Sequence, residues 1–126
     1  MTFEVGVRGA FHAAHALQGD FGPARNPHEH DYRVDVAVRG DRLRADGTLC
    51  DIVALRDVLA SAVSDLDGVR LDSLAAFQGR NTTAEEVARY VAGRVVDGLP
   101  HDGLSRLLVR VWESGDAYAA CERELR

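Results

Sequence analysis

The sequence predicts an α+β fold, a four-stranded antiparallel sheet with two helices on one face. Three observations carry this: apolar residues alternate with period two near the start of the chain, they recur at helical spacing in its middle, and they alternate again near its end. A half-buried strand exposes every second side chain to the core, and helices inserted between the second and third strands supply the cover. At 126 residues and 46% hydrophobic, the chain has material for one compact domain, 1–126, and not for two.

In order along the chain, Phe3, Val5 and Val7 alternate with Glu4, Gly6 and Arg8, which makes a first strand running toward His15. Asp20 to Pro27 is rich in Gly, Pro, Asn and Asp and reads as an irregular loop. Next, Tyr32, Val34, Val36 and Val38 alternate with Arg33, Asp35, Ala37 and Arg39 as a second strand. Gly40 to Gly47 is turn-like. Asp51 is placed to cap a helix whose Ile52, Leu55, Leu59, Val63 and Leu66 form an apolar stripe. A second helix starts at Thr83, where Thr83-Ala84-Glu85-Glu86 fits the capping-box pattern. Val87, Tyr90, Val91 and Val95 are its apolar face, and Gly98 and Pro100 end it. Leu107, Val109 and Val111 then alternate as a third strand, and after Ser114-Gly115-Asp116 the residues Ala117, Ala119 and Cys121 return as a fourth.

Composition excludes several classes of function. A net charge of −5 and a pI near 5.4, with basic residues scattered among acidic ones, argue against a nucleic-acid surface. No apolar run approaches the ~20 residues that span a bilayer, and the first residues lack a signal-peptide pattern. The expected location is therefore the cytoplasm. Cys50 and Cys121 stand far apart without a Cys-x-x-Cys unit, so they read as small core residues and not as a thiolate zinc site or a disulfide.

The chemistry lies in the histidines. His28 and His30 are two apart at the start of the second strand, so on extended backbone they share a face, and His15 at the end of the first strand can join them if the two strands are neighbours. Three imidazoles leave a fourth position for water or substrate, the usual arrangement of catalytic zinc, whereas structural sites close with four ligands rich in cysteine. A bare His-x-His on a strand is also compatible with simple exposure, and imidazole suits iron, nickel and copper as well as zinc.

Phe11-His12-Ala13-Ala14-His15, His28-Glu29-His30-Asp31-Tyr32, Gly47-Thr48-Leu49-Cys50-Asp51-Ile52, Leu66-Asp67, Asn81-Thr82-Thr83-Ala84-Glu85 and Trp112-Glu113-Ser114 occur in this order. With these motifs the chain resembles the 6-pyruvoyl-tetrahydropterin synthase and 6-carboxy-tetrahydropterin synthase family over nearly its whole length. The resemblance implies the tunnelling fold, in which trimers close their sheets into a barrel and stack into a hexamer with active sites between subunits. It also implies that His15, His28 and His30 bind Zn2+ and that Glu113 anchors a pterin. A carboxylate can accept two N–H groups from the pterin edge at once, which makes a strong and directional pair. Thr83 and Glu85 match residues lining the pterin pocket. The alternatives are an exposed edge carboxylate beside Arg110 for Glu113 and a plain helix cap for Thr83.

Two positions depart from the family. Its catalytic cysteine, four residues before the histidine pair, is Ala24 here. Its Asp-His pair falls on Asp67-Gly68, which leaves Asp67 as the remaining catalytic candidate. Loss of a general base commonly costs ~100- to 10,000-fold in rate. The expected function is a zinc-dependent lyase acting on dihydroneopterin triphosphate or a related pterin. Two other readings stay open: a zinc-dependent cyclase or aldolase-type enzyme with a non-pterin substrate, and a non-catalytic pterin-binding oligomer. Glu29 is expected to point away from the metal, and His12 to face away from His15.

Overall fold

The computed structural model describes residues 1–126. In chain order the main elements are β1 (Phe3–His15), β2 (His28–Gly40), α1 (Ile52–Leu66), α2 (Ala84–Gly98), β3 (Arg106–Ser114) and β4 (Ala117–Glu124). The strands form one antiparallel sheet in the order β1-β2-β3-β4. This is the four-stranded sheet with two helices that the alternation predicts.

Period two decides which side chains are buried. On β2, Tyr32, Val34, Val36 and Val38 are at most 1% exposed, while Asp35 and Arg39 on the other face pair with Arg8 and Glu4 of β1 at 2.6 and 2.8 Å. The inner face is covered by α1, which packs on β1, and by α2, which packs on β3 and β4. The outer face is a shallow hollow of about 460 Å³ lined by Arg8, Asp35, Ala37, Arg39, Leu108 and Arg110 among others. It lies on the opposite side of the sheet from the core.

Both helices start at the expected caps. The Asp51 carboxylate accepts from the backbone N–H groups of Val53 and Ala54, and the Thr83 hydroxyl accepts from that of Glu86, satisfying donors that the first turn leaves free. The buried stripe of α1 is Leu55, Leu59, Ala62 and Leu66, and Ile52 is 44% exposed. At about 100° per residue, Ile52 and Val63 stand roughly 60° and 80° round from Leu55, on the flank of the stripe. On α2 the small residues Ala84, Ala88 and Ala92 are buried beside Val87, Val91 and Val95. Alanine carries little hydrophobic signal, which is why the sequence pattern pointed to half-buried Tyr90 instead. Cys50 and Cys121 are half-buried against the core, and burial pushes both thiols up.

Two features bear on the site. The segment after α1 turns along the free edge of β1: Gly68 N–H donates to His12 O at 2.7 Å and Ala14 N–H to Val69 O at 3.1 Å. The rest of that edge and the far edge of β4 are open. At the end of β2, Gly40 lies so close to the Gly103 carbonyl oxygen that a Cβ would collide with it, so the β2–β3 connection requires glycine there. Three short 3-10 turns, Gly22–Arg25, Leu71–Ser73 and Ala75–Phe77, lie in segments with no apolar period to betray them. The first falls within the loop read from Asp20 to Pro27.

Candidate metal centre

Register brings the three histidines together. His15 pairs directly with His28 across β1 and β2, and His30 is one inward-facing position further along. The ring centroids are 4.5, 4.9 and 5.1 Å apart, and the ligating nitrogens all lie within 4.8 Å of one another. These three side chains could hold one metal ion. His15 is 1% exposed, and the other two are half-buried at the mouth.

The hydrogen bonds orient two of the rings. His15 Nδ1 bonds the Thr82 carbonyl oxygen at 2.7 Å, and His28 Nδ1 bonds that of Asn26 at 2.8 Å. A carbonyl only accepts, so Nδ1 carries the proton in each ring and Nε2 presents a lone pair. Nε2 of His15 is buried without a partner, an arrangement that costs free energy unless something occupies it. A metal-ligating histidine normally has its second nitrogen held in this way, so the donor set fits a metal.

A second tier of residues holds that tier in place. Asp72 accepts from the Thr82 hydroxyl at 2.7 Å, from Ala16 N–H at 2.8 Å and from Arg70 Nε at 3.3 Å. It thereby ties the strand end at His15 to the segment that carries the Thr82 carbonyl. Asn81 makes reciprocal bonds with the backbone of Gln18, both 2.8 Å. Within the loop, Leu17 N–H donates to the Ala24 carbonyl at 2.9 Å. Asp72 stands outside the motifs named above. Its signal is the repeat Leu66-Asp67 and Leu71-Asp72, whose second aspartate is the one that reaches Thr82. Asp72→Asn is expected to lower metal affinity about 10- to 100-fold, as loss of an outer partner does, while leaving the secondary structure intact. Competition with a chelator and circular dichroism check both halves.

The other candidates are distributed around this centre. Glu113 is the extra residue of a bulge, since the β3–β4 register shifts between Trp112 and Ser114, and bulges re-aim side chains. It faces the inner side, half-buried, and its charge acts on both His15 and Tyr32. Arg110 is on the outer face, 4.6 Å over the Tyr118 ring, so it does not compensate Glu113. Thr83 caps α2, and Glu85 is exposed in its first turn. Asp67 is exposed at the β1 edge, where its carboxylate accepts from His12 N–H at 2.9 Å. His12 and Glu29 face outward as expected: His12 bonds Asp31 at 2.7 Å and approaches Glu29 at 3.5 Å.

Protonation follows from burial. Desolvation holds the His15 imidazole below its ordinary value, helped by the charges of His28 and His30 and opposed by the Thr82 carbonyl. Burial first, and then Glu113 and Asp72, raise the Tyr32 phenol far above the tyrosine range. Burial also works against ionisation of Asp35 and Asp72. It is outweighed at Asp35 by Arg8 and Trp112, and at Asp72 by Thr82, Ala16 N–H and Arg70, so both carboxyls titrate below the usual range. Hence metal-free protein is expected to lose stability in two stages on acidification. Below the ordinary histidine value of 6.5 the unfolded chain takes up a proton that folded His15 refuses. Below the aspartate value of 3.8 the unfolded carboxyls protonate while Asp35 and Asp72 stay ionised, and that contribution vanishes as the pH falls through their folded values. His12, raised by Asp31, opposes the first stage only weakly because it is exposed and screened. Melting temperatures from pH 8 to 3 test this, and His15→Gln should erase the first stage.

The family model described as 6-pyruvoyl tetrahydropterin synthase matches residues 4–124. The chain is 25% identical to 6-carboxy-5,6,7,8-tetrahydropterin synthase of Haemophilus influenzae, across 95% of this chain and 97% of that protein. Its fold is similar to 6-pyruvoyl tetrahydropterin synthase of Caenorhabditis elegans, with a TM-score of 0.84 at 20% identity over 98% of this chain and 96% of that one. It is also similar to the Plasmodium vivax 6-pyruvoyltetrahydropterin synthase in a variant lacking a catalytic glutamate, with a TM-score of 0.83 at 16% identity over 99% of both chains.

Proposed function

Because the chain belongs to the 6-pyruvoyl tetrahydropterin synthase family, we propose that it is a zinc-dependent lyase acting on dihydroneopterin triphosphate or a closely related pterin. The observation that carries this is the convergence of His15, His28 and His30, with the buried Nε2 of His15 otherwise unpartnered. A zinc ion held there supplies Lewis acidity, which makes a C–H beside a polarised side-chain oxygen easier to deprotonate. The remaining work belongs to the protein. Glu113 accepts the 2-amino and ring N–H groups of the pterin and thereby sets which part of the side chain reaches the histidines. Thr83 and Glu85, at the start of α2, line the pterin pocket.

Proton handling is assigned to Asp67. Ala24 supplies no thiolate, and Glu29 lies on the wrong face of the sheet. The catalytic glutamate of the Plasmodium vivax enzyme supports a carboxylate in this role. Asp67 is exposed on the segment that turns along the edge of β1, so it would serve a site completed by a neighbouring subunit. Open edges on β1 and β4 support the homo-oligomer, a hexamer of two stacked trimers whose joined sheets remove the edges. No helix is long and apolar enough to cross a membrane, which agrees with a cytoplasmic enzyme. The second reading, a pterin-binding oligomer without turnover, draws on the absence of a thiol at Ala24 and an imidazole at Gly68.

Elemental analysis combined with mass spectrometry of products from 7,8-dihydroneopterin triphosphate separates these readings. Near-stoichiometric zinc and a metal-dependent pyruvoyl-, carboxy- or hydroxymethyl-type pterin support the lyase. Zinc with pterin binding and no product supports the binder. Zinc without pterin binding turns the reading toward a cyclase or aldolase on another substrate.

A further inference from the structure

Besides the histidines, two polar side chains turned to the inner face, Tyr32 on β2 and Glu113 on β3, make no hydrogen bond within the protein. The Tyr32 hydroxyl is buried without a hydrogen-bond partner. The Glu113 carboxylate is half-buried on the β3 bulge, and the one arginine beside it in sequence, Arg110, is committed to the opposite face. The last registered pair of β2 and β3 is Arg33 with Trp112, so Tyr32 and Glu113 each lie one residue beyond it, both turned inward. One is a donor and the other an acceptor.

Their mobilities differ in a useful way. The Tyr32 ring stacks on Phe11, with centroids 4.6 Å apart and planes 11° from parallel, and stands edge-on to His30 at 5.3 Å. Its O–H is therefore a fixed point beside the metal centre. Glu113 has three rotatable side-chain bonds and no anchor. A carboxylate that must meet two N–H groups at once loses affinity to every rotamer it has to abandon.

We propose that Tyr32 is the positioning residue for Glu113: its hydroxyl donates to one carboxylate oxygen when ligand enters, fixing the carboxylate plane that receives the heterocycle. This rests on the reading of Glu113 as the pterin anchor. It also accounts for a buried hydroxyl without a partner within the protein, a group that is otherwise a net cost.

The test is a double-mutant cycle on zinc-loaded protein, with 7,8-dihydroneopterin binding followed by fluorescence for wild type, Tyr32→Phe, Glu113→Gln and the double variant. Phenylalanine keeps the ring packing. Tyr32→Phe is expected to weaken binding about tenfold when Glu113 is present, the size of a hydrogen bond to a charged group. It should weaken binding less than about twofold when residue 113 is glutamine. Zinc content should not change, and the ligand-free variant should melt at or above the wild-type temperature. Unchanged affinity, an equal loss in both backgrounds, or loss of zinc from Tyr32→Phe would each overturn the assignment while leaving the pterin reading standing. A wild-type protein that binds no pteridine would overturn that reading and this one with it.

Discussion

His28→Ala is expected to lose its zinc on dialysis and to retain no metal-dependent turnover. Removing an outer partner of a metal-bound histidine costs about 10- to 100-fold in affinity, and removing the ligand itself must cost more, since it leaves two nitrogens where an open catalytic site uses three. His28 is the informative choice because it is half-buried at the mouth and its Nδ1 touches only the Asn26 carbonyl. Deleting it therefore removes a donor without opening the core, and the stability of the metal-free protein should change by no more than about 0.5 kcal/mol. His15→Ala would confound the two effects, because His15 is 1% exposed and its loss frees the Thr82 carbonyl as well. Elemental analysis, chelator competition and thermal melts with and without zinc separate metal loss from unfolding. A His28→Ala protein that kept stoichiometric zinc at wild-type affinity would refute the three-histidine site.

The ordering of effects is itself a test of how the site is built. His28→Ala should exceed Asp72→Asn, because Asp72 acts on the metal only by holding Thr82, whose carbonyl orients His15. If the two variants were equally damaging, Asp72 would be doing more than positioning. The chain of support runs from Asp72 through Thr82 to His15, and each link is weaker in its effect on the metal than the one after it.

Much of this was legible in the residues themselves. Alternation along β2 identifies the buried face and at the same time sends His28 and His30 to it, because both features follow from the same period of two. Asp51 and Thr83 identify the helix starts because capping depends on a side-chain oxygen at a definite place. What local pattern does not carry depends on groups without a residue signature or on partners far away in sequence. The acceptor for His15 is a backbone carbonyl, which any residue at position 82 would provide. The role of Asp72 depends on Ala16 and Thr82 lying beside it, and three-dimensional neighbourhood is not written in local pattern. The bulge at Glu113 is likewise invisible to periodicity, since one extra residue reads only as the end of a strand. Ala88 and Ala92 stand outside the predicted stripe because burial of a methyl group barely registers in apolar periodicity, although it lets α2 lie close to the sheet.

Glu113→Gln is expected to leave zinc in place and to weaken pterin binding about 100-fold, the converse of His28→Ala. Glutamine has nearly the same shape, so the bulge and the β3–β4 register should persist. The difference lies in what the side chain presents. A carboxylate offers two acceptors to the two N–H donors of a pterin edge, whereas an amide offers one acceptor and turns an N–H against the other donor. One charge-assisted bond is lost and a donor is left facing a donor. At about 1.5–3 kcal/mol for a bond to a charged group, the loss is on the order of 100-fold in affinity, since each 1.36 kcal/mol is a factor of about ten. The effect should appear in both KM and kcat/KM, because the heterocycle is gripped before and during the reaction and its remote binding also sets how the side chain meets the histidines. Glu113→Asp keeps both acceptors and the charge but withdraws them by one methylene, so it should bind more tightly than the glutamine variant and turn over more slowly than wild type. Fluorescence titration with 7,8-dihydroneopterin ranks the three proteins. An order in which glutamine binds as well as glutamate would remove Glu113 from the pterin site and return it to the status of a half-exposed carboxylate at the end of a strand.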